Sequence, residues 1–358
     1  MGNSRWRLET ALNYVAQNIH ELGRVEDVEV LVADWGSEIS LREVLKLSPA
    51  AARIVSFILI PPEIAFPLQK DSPFPEVLAL NAAARRARGD YIGRIDQDTL
   101  VGKRFLEIFF ELYEGNRRLK VPLEAALLFA NRRDVPYRFA VRSPSFRSTD
   151  RFVHWFGRFL RIEVPRPPIP FYLASVGIWL VNRTLWNECG GYDERMIYMN
   201  AMETNMIVRL MMRYEMVNLG ALTDYDFYHL EHYDPRAVRK SSTYRKVNPN
   251  LPFSRPDVLN PNNQDWGLIQ YPLERLSYSG QCDVKTATCR QRLLEFLGFT
   301  PLLLVVGPLM GWDGLTTVFS TWRRRAGIAK KVLYGQPLVT WPHLLRKVWL
   351  ERKPAKMQ

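Results

Sequence analysis

Residues 79–98 read ALNAAARRARGDYIGRIDQD, and our prediction of the fold depends mainly on these residues. Its Ala-rich first half belongs to a segment, 76–88, with the composition of a helix, and Gly89 is well placed to end that helix. The run DYIGRI (90–95) has the length of a buried strand, and it leads directly into Asp96-Gln97-Asp98. A helix, a strand and an acidic turn therefore follow one another without a break.

The segments on both sides of this stretch continue the alternation of helices and strands. We predict further helices over 6–22, around the apolar residues Phe105, Ile108, Phe109 and Leu112, shortly after 181, and over about 202–214. We predict further strands over 28–33, 53–60, 124–130, 174–181 and 226–232. This order is typical of an α/β fold with a mostly parallel sheet. In such sheets ligands bind beyond the carboxyl ends of the strands, where we expect Asp34 and the Asp96–Asp98 turn.

Two segments lack this periodicity. Residues 131–172 are rich in Arg, Pro and aromatic residues, and we predict a long surface excursion there. Residues 233–289 are polar and rich in Pro and Asn, which predicts loops and short elements over the sheet edge. Within the second segment, Trp266 follows a run of amides, where it either anchors a turn or stacks on a sugar ring.

The composition excludes several classes of protein. The chain has 358 residues, of which 47% are hydrophobic and 24% charged, so it is neither disordered nor of low complexity. Three cysteines without a CxxC pair exclude a disulfide scaffold and a cysteine-bound zinc site. The first residues, MGNSRWRLET, lack the apolar stretch of a secretory signal, and we expect a location in the cytoplasm or at the cytoplasmic face of a membrane.

Basic residues are concentrated at the end of the chain. The formal net charge is +12, and residues 290–358 hold 12 Lys and Arg against three acidic residues. The same region contains a charge-free run, FLGFTPLLLVVGPLMGW (296–312), which is short for a membrane span and carries two prolines. Two interpretations stay open: peripheral docking on an anionic membrane surface, and a C-terminal subdomain that packs its own apolar surface. We predict no nucleic-acid partner, because the basic residues lack interleaved stacking motifs.

The turn Asp96-Gln97-Asp98 has the chemistry of a cation site. Mg²⁺ and Mn²⁺ take oxygen ligands, and they commonly bind one or two carboxylates together with substrate phosphates. A diphosphate leaving group needs such a cation, because its negative charge grows as the bond breaks. An Asp-x-Asp pair by itself is more often a turn or a helix cap, so its position after a buried strand is what favours the cation site.

Four segments, in this order, resemble the family 2 glycosyltransferases, whose fold is named GT-A. They are VEVLVADWGS (28–37), ALNAAARRARGDYIGRIDQD (79–98), ECGGYDER (188–195) and AMETNMIVRLM (201–211). The resemblance implies a Rossmann-like α/β fold of the GT-A type, with a mostly parallel sheet, helices on both faces and a helical, basic C-terminal extension. It divides the chain into a nucleotide-sugar and acceptor domain (1–235), a loop-rich extension over the active site (236–289) and the apolar and basic C-terminal region (290–358).

The resemblance also implies a reaction and the residues that perform it. The chain would be a metal-dependent, inverting glycosyltransferase of the hexosyltransferase type, with a UDP-sugar as donor and a carbohydrate or lipid hydroxyl as acceptor. Asp34 would contact the nucleotide base, of the uracil type, and Asp96 the ribose or another part of the nucleotide. Asp98 would hold the Mn²⁺ or Mg²⁺ ion that bridges the diphosphate. Glu203 would be the catalytic base that deprotonates the acceptor hydroxyl.

Two histidines follow the predicted helix of the catalytic base. His229 and His232 lie in YHLEHYD (228–234), where the family often has a histidine that completes the metal site. An imidazole ligand favours Mn²⁺ over Mg²⁺. Each histidine is equally well explained as a satisfied strand residue. Of the two we predict His232 as the ligand, because it stands at the end of the predicted strand and not inside it.

Several features depart from the family pattern. Met202 and Glu203 stand where the family usually has Glu and Asp, and Asn205 stands where an Asp is common. In the family a strand with a Pro- and Asn-bearing turn precedes the first helix, whereas this sequence begins at that helix. We therefore expect a truncated N terminus, with the edges of neighbouring strands unpaired. These departures favour the alternative function, a catalytically inactive GT-A-like module that binds a carbohydrate or a protein.

Overall fold

The computed structural model describes residues 4–72, 74–157, 160, 176–198, 202–211, 213–223, 227–232, 248, 259–280 and 282. Within these ranges the chain is a mixed α/β protein, which confirms the predicted fold class. The predicted C-terminal region, 290–358, and its charge-free run lie outside the described residues. Each described helix is too short or too polar to cross a membrane.

The described strands begin and end within a few residues of the predicted ones wherever a strand was expected. They are β1 (Val30–Trp35), β2 (Val55–Ile60), β3 (Tyr91–Ile95), β4 (Thr99–Val101), β5 (Ala126–Asn131), β6 (Arg133–Val135), β7 (Val176–Asn182), β8 (Glu215–Asn218), β9 (Phe227–Leu230) and β10 (Arg275–Ser277).

The described helices are α1 (Ser4–Glu21), α2 (Leu41–Val44), α3 (Pro49–Ile54), α4 (Pro62–Gln69), α5 (Glu76–Arg85), α6 (Lys103–Tyr113), α7 (Tyr137–Ala140), α8 (Phe146–Phe156), α9 (Arg183–Glu188), α10 (Met202–Met211) and α11 (Leu219–Leu222), with a 3-10 turn over Leu123–Ala125. Local signals set several of their ends. Gly23 has a φ of +69° just after α1, a conformation that glycine adopts at little cost. The side chain of Ser48 accepts a hydrogen bond from the amide of Ala51 and caps α3.

The strands pair in three sheets of mixed direction. Their orders are β1–β2–β10, β3–β7–β5–β8 and β4–β9–β6. The pairs β1–β2, β5–β8 and β6–β9 are parallel, whereas β2–β10, β3–β7, β5–β7 and β4–β9 are antiparallel. The prediction of a mostly parallel sheet is therefore wrong for the described strands. Because β7 returns after a long connection and not through a single crossover helix, it can enter between β3 and β5 in the opposite direction.

β1 and β3 are edge strands among the strands that the structure describes. β1 pairs with β2 alone, and β3 pairs with β7 alone. Residues 30–33 of β1 are half-buried, whereas most side chains of β2 are buried. The side chains of β1 are consequently less buried than those of its partner β2.

Apolar side chains on both faces of the sheets form the core. On one face Ile19 of α1 and Phe105 of α6 belong to the same buried cluster as Phe227 of β9. On the other face Met206 of α10 belongs to a cluster with Trp179 of β7. Each large apolar side chain that is fully buried contributes roughly 1.5–3 kcal/mol to the stability of the fold. These clusters fix the helices that carry the charged side chains described below.

The predicted surface excursion over 131–172 is wrong for the part that the structure describes. It contains β6, α7 and α8, and the rings of Phe139 and Phe152 stack at 4.2 Å in a buried cluster. α8 buries Thr149, Phe152 and Val153, which share one face of the helix. Arg and Pro residues surround this short apolar stripe, so its helical periodicity is not evident in the sequence.

Residues 259–280 form turns and the short strand β10, which confirms the predicted loops and short elements over a sheet edge for this range. Trp266 is buried, and the guanidinium of Arg85 lies 4.6 Å from the centre of its ring. Trp266 therefore anchors a turn and does not present its ring to a sugar.

Candidate metal and carboxylate site

Asp96 and Asp98 lie in the short link between two sheets. β3 ends at Ile95 in one sheet and β4 begins at Thr99 in another. The amide of Thr99 donates to the carbonyl of Asp96 at 3.0 Å, and the amide of Leu230 donates to the carbonyl of Asp98 at 2.9 Å. These bonds hold both residues just beyond the carboxyl end of a strand, which is the position that the sequence predicted.

Asp98 is only 4% exposed and faces side chains from α1 and from around β9. Its Oδ2 lies 3.1 Å from Nδ1 of His232, 3.6 Å from Nε2 of His229 and 3.8 Å from Nε of Arg7. Burial alone would raise the pKa of Asp98, but the charges and hydrogen bonds of the two histidines hold it well below its usual range. Asp98 is therefore ionised, as a cation ligand must be.

His229 lies inside β9 between two carboxylates. Its Nε2 faces Asp98, and its Nδ1 lies 3.1 Å from Oδ1 of Asp134. Burial and the charge of Arg132 act to lower the pKa of His229, but the two carboxylates raise it to about 10. The sequence favoured His232 over His229, and the structure brings both to Asp98. A strand position is compatible with a functional histidine because β9 ends beside the acidic link.

The donor set of Asp98, His229 and His232 fits a divalent transition metal. One ligand atom from each of the three side chains lies within 4.8 Å of the others. One carboxylate and two imidazoles suit Mn²⁺ or a related transition metal better than Mg²⁺, which prefers oxygen ligands. A cation that bound here would displace the imidazole protons, because a histidine coordinates metal in its neutral form.

A second charged cluster surrounds Arg94 of β3, whose side chain is almost fully buried. Its guanidinium contacts Oε1 of Glu76 at 2.6 Å, Oδ1 of Asp96 at 2.7 Å and Oε1 of Glu203 at 2.7 Å. These carboxylates come from the start of α5, from the β3–β4 link and from the first turn of α10. One guanidinium thus joins the residue predicted to contact the ribose and the residue predicted to be the base.

The Arg94 cluster has more negative than positive charge. Burial raises the pKa of Glu76 to about 7; the charge of Arg94 opposes this rise, and the charges of Glu203 and Asp96 add to it. Burial acts to lower the pKa of Arg94, but Asp96 and the other carboxylates raise it well above its ordinary value. Glu76 is therefore the member of the cluster that takes up a proton near neutral pH.

Arg132 connects the two clusters. Its guanidinium lies 3.6 Å from Oδ2 of Asp96 and 3.9 Å from Oδ1 of Asp134. Because Asp134 contacts His229, charged side chains form a continuous row from Glu203 to Asp98. The predicted metal ligand and the predicted base therefore belong to one connected site.

Asn205 and Arg209 hold α10 in place. Arg209 is 2% exposed and donates to the carbonyls of Cys189, at 2.9 Å, and of Gly191, at 2.7 Å. Its Nε donates to Oδ1 of Asn205 at 3.0 Å. Asn205, at the position where the resembling family often has an Asp, therefore supports Arg209, while Met202 is buried in the core.

The segment 188–195, which resembles the acceptor-side element, packs behind the Arg94 cluster. Gly191 has a φ of +67°, and a Cβ atom there would lie 2.3 Å from Oδ1 of Asn81. That same oxygen accepts a hydrogen bond from the amide of Tyr192 at 2.8 Å. Tyr192 is fully buried, and the guanidinium of Arg94 lies 5.8 Å from the centre of its ring. The segment thus forms a wall of the site, which requires glycine at this close approach.

Asp34 lies just within the carboxyl end of β1 and is 3% exposed. Its carboxylate accepts hydrogen bonds from the hydroxyls of Ser37 and Ser40, the latter at 3.2 Å, and from the amide of Leu41 at 2.7 Å. All three donors belong to the loop that follows β1 and to the start of α2. In this structure Asp34 stabilises its own loop, and its hydrogen bonds do not join it to Asp98 or Arg94.

A cavity of about 900 Å³ opens at the opposite end of β3 from the acidic link. It is bordered by the start of β3, the end of β7 and the connection between α6 and β5, with Arg117, Arg118, Lys120 and Arg183 among its lining residues. This cavity is therefore separate from the cluster of carboxylates and histidines, none of which lines it.

Sequence reasoning missed five residues of the site: Arg7, Glu76, Arg94, Arg132 and Asp134. Arg94 carried a detectable signal, since a charged residue inside an apolar strand two positions before Asp96 must find a partner when it is buried. The other four carried none, because their role depends on which strands and helices the fold brings together.

Comparisons with known proteins add no further assignment. A scan of the chain against protein-family models and a search of the curated proteins found no match. The fold class and the geometry above are therefore the basis of the functional proposal.

Proposed function

We propose that the chain is a metal-dependent, inverting glycosyltransferase that moves a sugar from a nucleotide-diphospho-sugar, such as a UDP-sugar, to a hydroxyl of a carbohydrate or lipid acceptor. The observation that carries the proposal is the convergence beyond β3 of Asp98 with two histidines and of Asp96 with Glu203. Departure of a diphosphate needs a cation, and attack by a hydroxyl needs a base. Ligands for the first and a candidate for the second occupy one connected site.

In the proposed reaction the bond between the anomeric carbon and the diphosphate oxygen breaks while the acceptor oxygen bonds to the same carbon from the opposite face. The carboxylate of Glu203 takes the proton of the acceptor hydroxyl. Asp98, His229 and His232 would hold the divalent cation, which supplies charge neutralisation at the diphosphate when bound. Arg7 adds positive charge next to the same carboxylate.

Arg94 has a defined place in this proposal. Its ion pair with Glu203 occupies one carboxylate oxygen, so the acceptor hydroxyl would bind to the other. Because Asp96 contacts the same guanidinium, Arg94 also links the nucleotide end of the site to the acceptor end. A substitution at Arg94 is therefore expected to affect both donor and acceptor.

A catalytically inactive GT-A-like binding module is the second candidate. The pairing of Glu203 with Arg94 favours it, since the guanidinium already occupies one oxygen of that carboxylate. The local hydrogen bonding of Asp34 favours it as well, because that carboxylate has its acceptor positions used within the loop.

Thermal unfolding and product analysis separate the two candidates. We expect UDP with Mn²⁺ to raise the melting temperature of the wild type and Asp98→Ala to abolish the rise. The rise in melting temperature measured with a series of UDP-sugars would identify the donor. Glu203→Gln is expected to keep the shift and to lose sugar transfer and donor hydrolysis.

Glu215→Gln is the matched control, because Glu215 is an exposed carboxylate at the start of β8. It should keep both the shift and the turnover. A wild-type melting temperature that does not change with any nucleotide contradicts the proposal. Binding without turnover in the wild type supports the inactive module instead.

Peripheral membrane contact through residues 290–358 stays a prediction from the sequence. Flotation with vesicles that contain anionic lipid tests it, with the whole chain compared with a chain that ends at residue 289. Equal flotation of the two chains would contradict the contact.

A further inference from the structure

The register of three neighbouring strands places Asp134 beside His229. In the sheet β4–β9–β6, His229 of β9 is paired with Thr99 of β4 on one side and with Asp134 of β6 on the other. Paired residues in a sheet project to the same face, so the two side chains must meet. Oδ1 of Asp134 and Nδ1 of His229 lie 3.1 Å apart, which is a hydrogen-bond distance.

This contact decides which nitrogen of His229 can coordinate a metal. The ring has Nδ1 on the side of Asp134 and Nε2 on the side of Asp98, 3.6 Å from its Oδ2. Both carboxylates can only accept, but a cation that binds beside Asp98 takes the place of the proton on Nε2, whereas Nδ1 keeps its proton for Asp134, and the lone pair of the metal-binding ring is then on Nε2. That lone pair then faces Asp98 and His232.

Asp134 also belongs to a second group of side chains. Ligand atoms of Asp134, His229 and Glu231 lie within 4.8 Å of one another, and such a group could in principle hold a cation. Arg132 lies 3.9 Å from Oδ1 of Asp134, much as Arg7 lies 3.8 Å from Oδ2 of Asp98, so a neighbouring guanidinium does not separate the two groups. The number of ions bound in the titration below separates them.

We propose that Asp134 is the positioning residue of the metal centre: it accepts a hydrogen bond from Nδ1 of His229 and thereby directs Nε2 towards a cation shared with Asp98 and His232. The inference rests on the metal centre of the proposed function and adds a residue that the sequence did not indicate. Carboxylates that orient a metal-bound histidine in this way raise its basicity and fix its tautomer.

The test is a titration of the full-length chain with Mn²⁺, followed by the loss of the electron paramagnetic resonance signal of the free ion. We expect the wild type to bind one ion, Asp98→Ala to bind none, and Asp134→Ala to bind one ion with an affinity about 10–100-fold lower. Asp134→Asn, which removes the charge with little change in shape, should lie between the wild type and Asp134→Ala. Asp265→Asn, at an exposed position, is the control and should bind as the wild type does.

Pulsed electron paramagnetic resonance of bound Mn²⁺ supplies a second readout, which a purely structural role of Asp134 would not change. The wild type should show nitrogen couplings from two imidazoles, and the Asp134 variants should show an altered coupling from one of them. Should Asp134→Ala fail to fold, Asp134→Asn provides both readouts.

The outcomes are distinguishable. A wild type that binds no Mn²⁺ overturns the metal centre and this inference together. A wild type that binds one ion, with Asp134 variants of the same affinity and couplings, overturns this inference alone. Two ions in the wild type and one in Asp134→Ala would make Asp134 a ligand of a second ion, which also overturns it.

Discussion

Asp34 and Asp98 are two buried carboxylates with opposite surroundings. Asp34 stands at the end of β1 and Asp98 follows β3, and they are 3% and 4% exposed. The hydrogen-bond donors to Asp34 come from the next seven residues of its own loop. The partners of Asp98 are His229, His232 and Arg7, which come from distant parts of the chain.

The comparison shows that two carboxylates that are buried near the ends of strands can have different kinds of partner. A carboxylate whose oxygens accept hydrogen bonds from its own loop stabilises the conformation of that loop. A carboxylate that has imidazoles from other elements beside it can share a cation with them. The origin of the partners therefore distinguishes the two cases better than position or exposure does.

The largest expected difference concerns metal affinity. Asp98→Ala removes the ligand at the centre of the histidine pair, and we expect the affinity for Mn²⁺ to fall below detection, by more than the roughly 100-fold that loss of an outer-shell partner costs. Asp34→Ala should leave the affinity unchanged, because its hydrogen bonds lie within its own loop. Isothermal titration of both variants measures the difference. An equal loss of Mn²⁺ affinity in the two variants would contradict this prediction, since Asp34 would then belong to the metal site.

The second expected difference concerns stability without metal. Asp34→Ala leaves the amide of Leu41 and two hydroxyls without their acceptor, which should lower the free energy of unfolding by roughly 2–3 kcal/mol. Urea denaturation measures this change. Asp27→Ala, at an exposed position, is the control and should change the free energy of unfolding by roughly 0.5 kcal/mol or less. A change for Asp34→Ala as small as that of the control would mean that the loop does not depend on its carboxylate.

The third prediction concerns pH and extends the comparison to the Arg94 cluster. The pKa of Glu76 is about 7 in the folded chain, against an ordinary value of 4.5, so between these two pH values the folded state binds a proton that the unfolded state has released. The contribution of Glu76 to the free energy of unfolding therefore falls as the pH rises from about 4.5 to 7. Glu76→Gln should flatten this part of the profile, as denaturation at a series of pH values would show. An unchanged slope in the variant would sink the assignment of the proton to Glu76.

The smallest expected effect concerns the strand that carries Asp34. β1 has one described strand partner, whereas β2 lies between β1 and β10. Amide hydrogens of residues 30–35 should therefore exchange faster than those of residues 55–60. Hydrogen exchange read by mass spectrometry of peptides measures both strands in one sample. Equal protection would indicate that the outer edge of β1 is covered as well as the inner one.

Much of the local structure follows from sequence patterns. The amphipathic spacing around Leu12 and Val15 predicts α1, and the Ala-rich segment before Gly89 predicts α5. The strand that precedes Asp96 was predictable for the same reason, because a short apolar run bounded by polar residues favours a buried strand. These patterns depend on residues within a few positions of one another.

The direction of β7 and the burial of α8 were not predictable in this way. β7 joins β3 and β5 after a long connection, so nothing near residues 176–182 in sequence determines its direction. The apolar stripe of α8 contains only three buried side chains, among basic and aromatic residues. Both features depend on contacts between elements that are far apart in the chain.

Hydrophobic periodicity and helix ends act locally, so the alternation of helices and strands and the position of Asp96 and Asp98 after a strand follow from the sequence alone. The packing of distant elements sets the other features: His229 and His232 reach Asp98, Arg94 joins Glu203 to Asp96, and Asp34 accepts its hydrogen bonds from its own loop. The physical reason is that a buried charge must be compensated by whichever polar groups the packed strands and helices bring within a few ångströms. That choice of partners is made by strand register and not by neighbouring sequence.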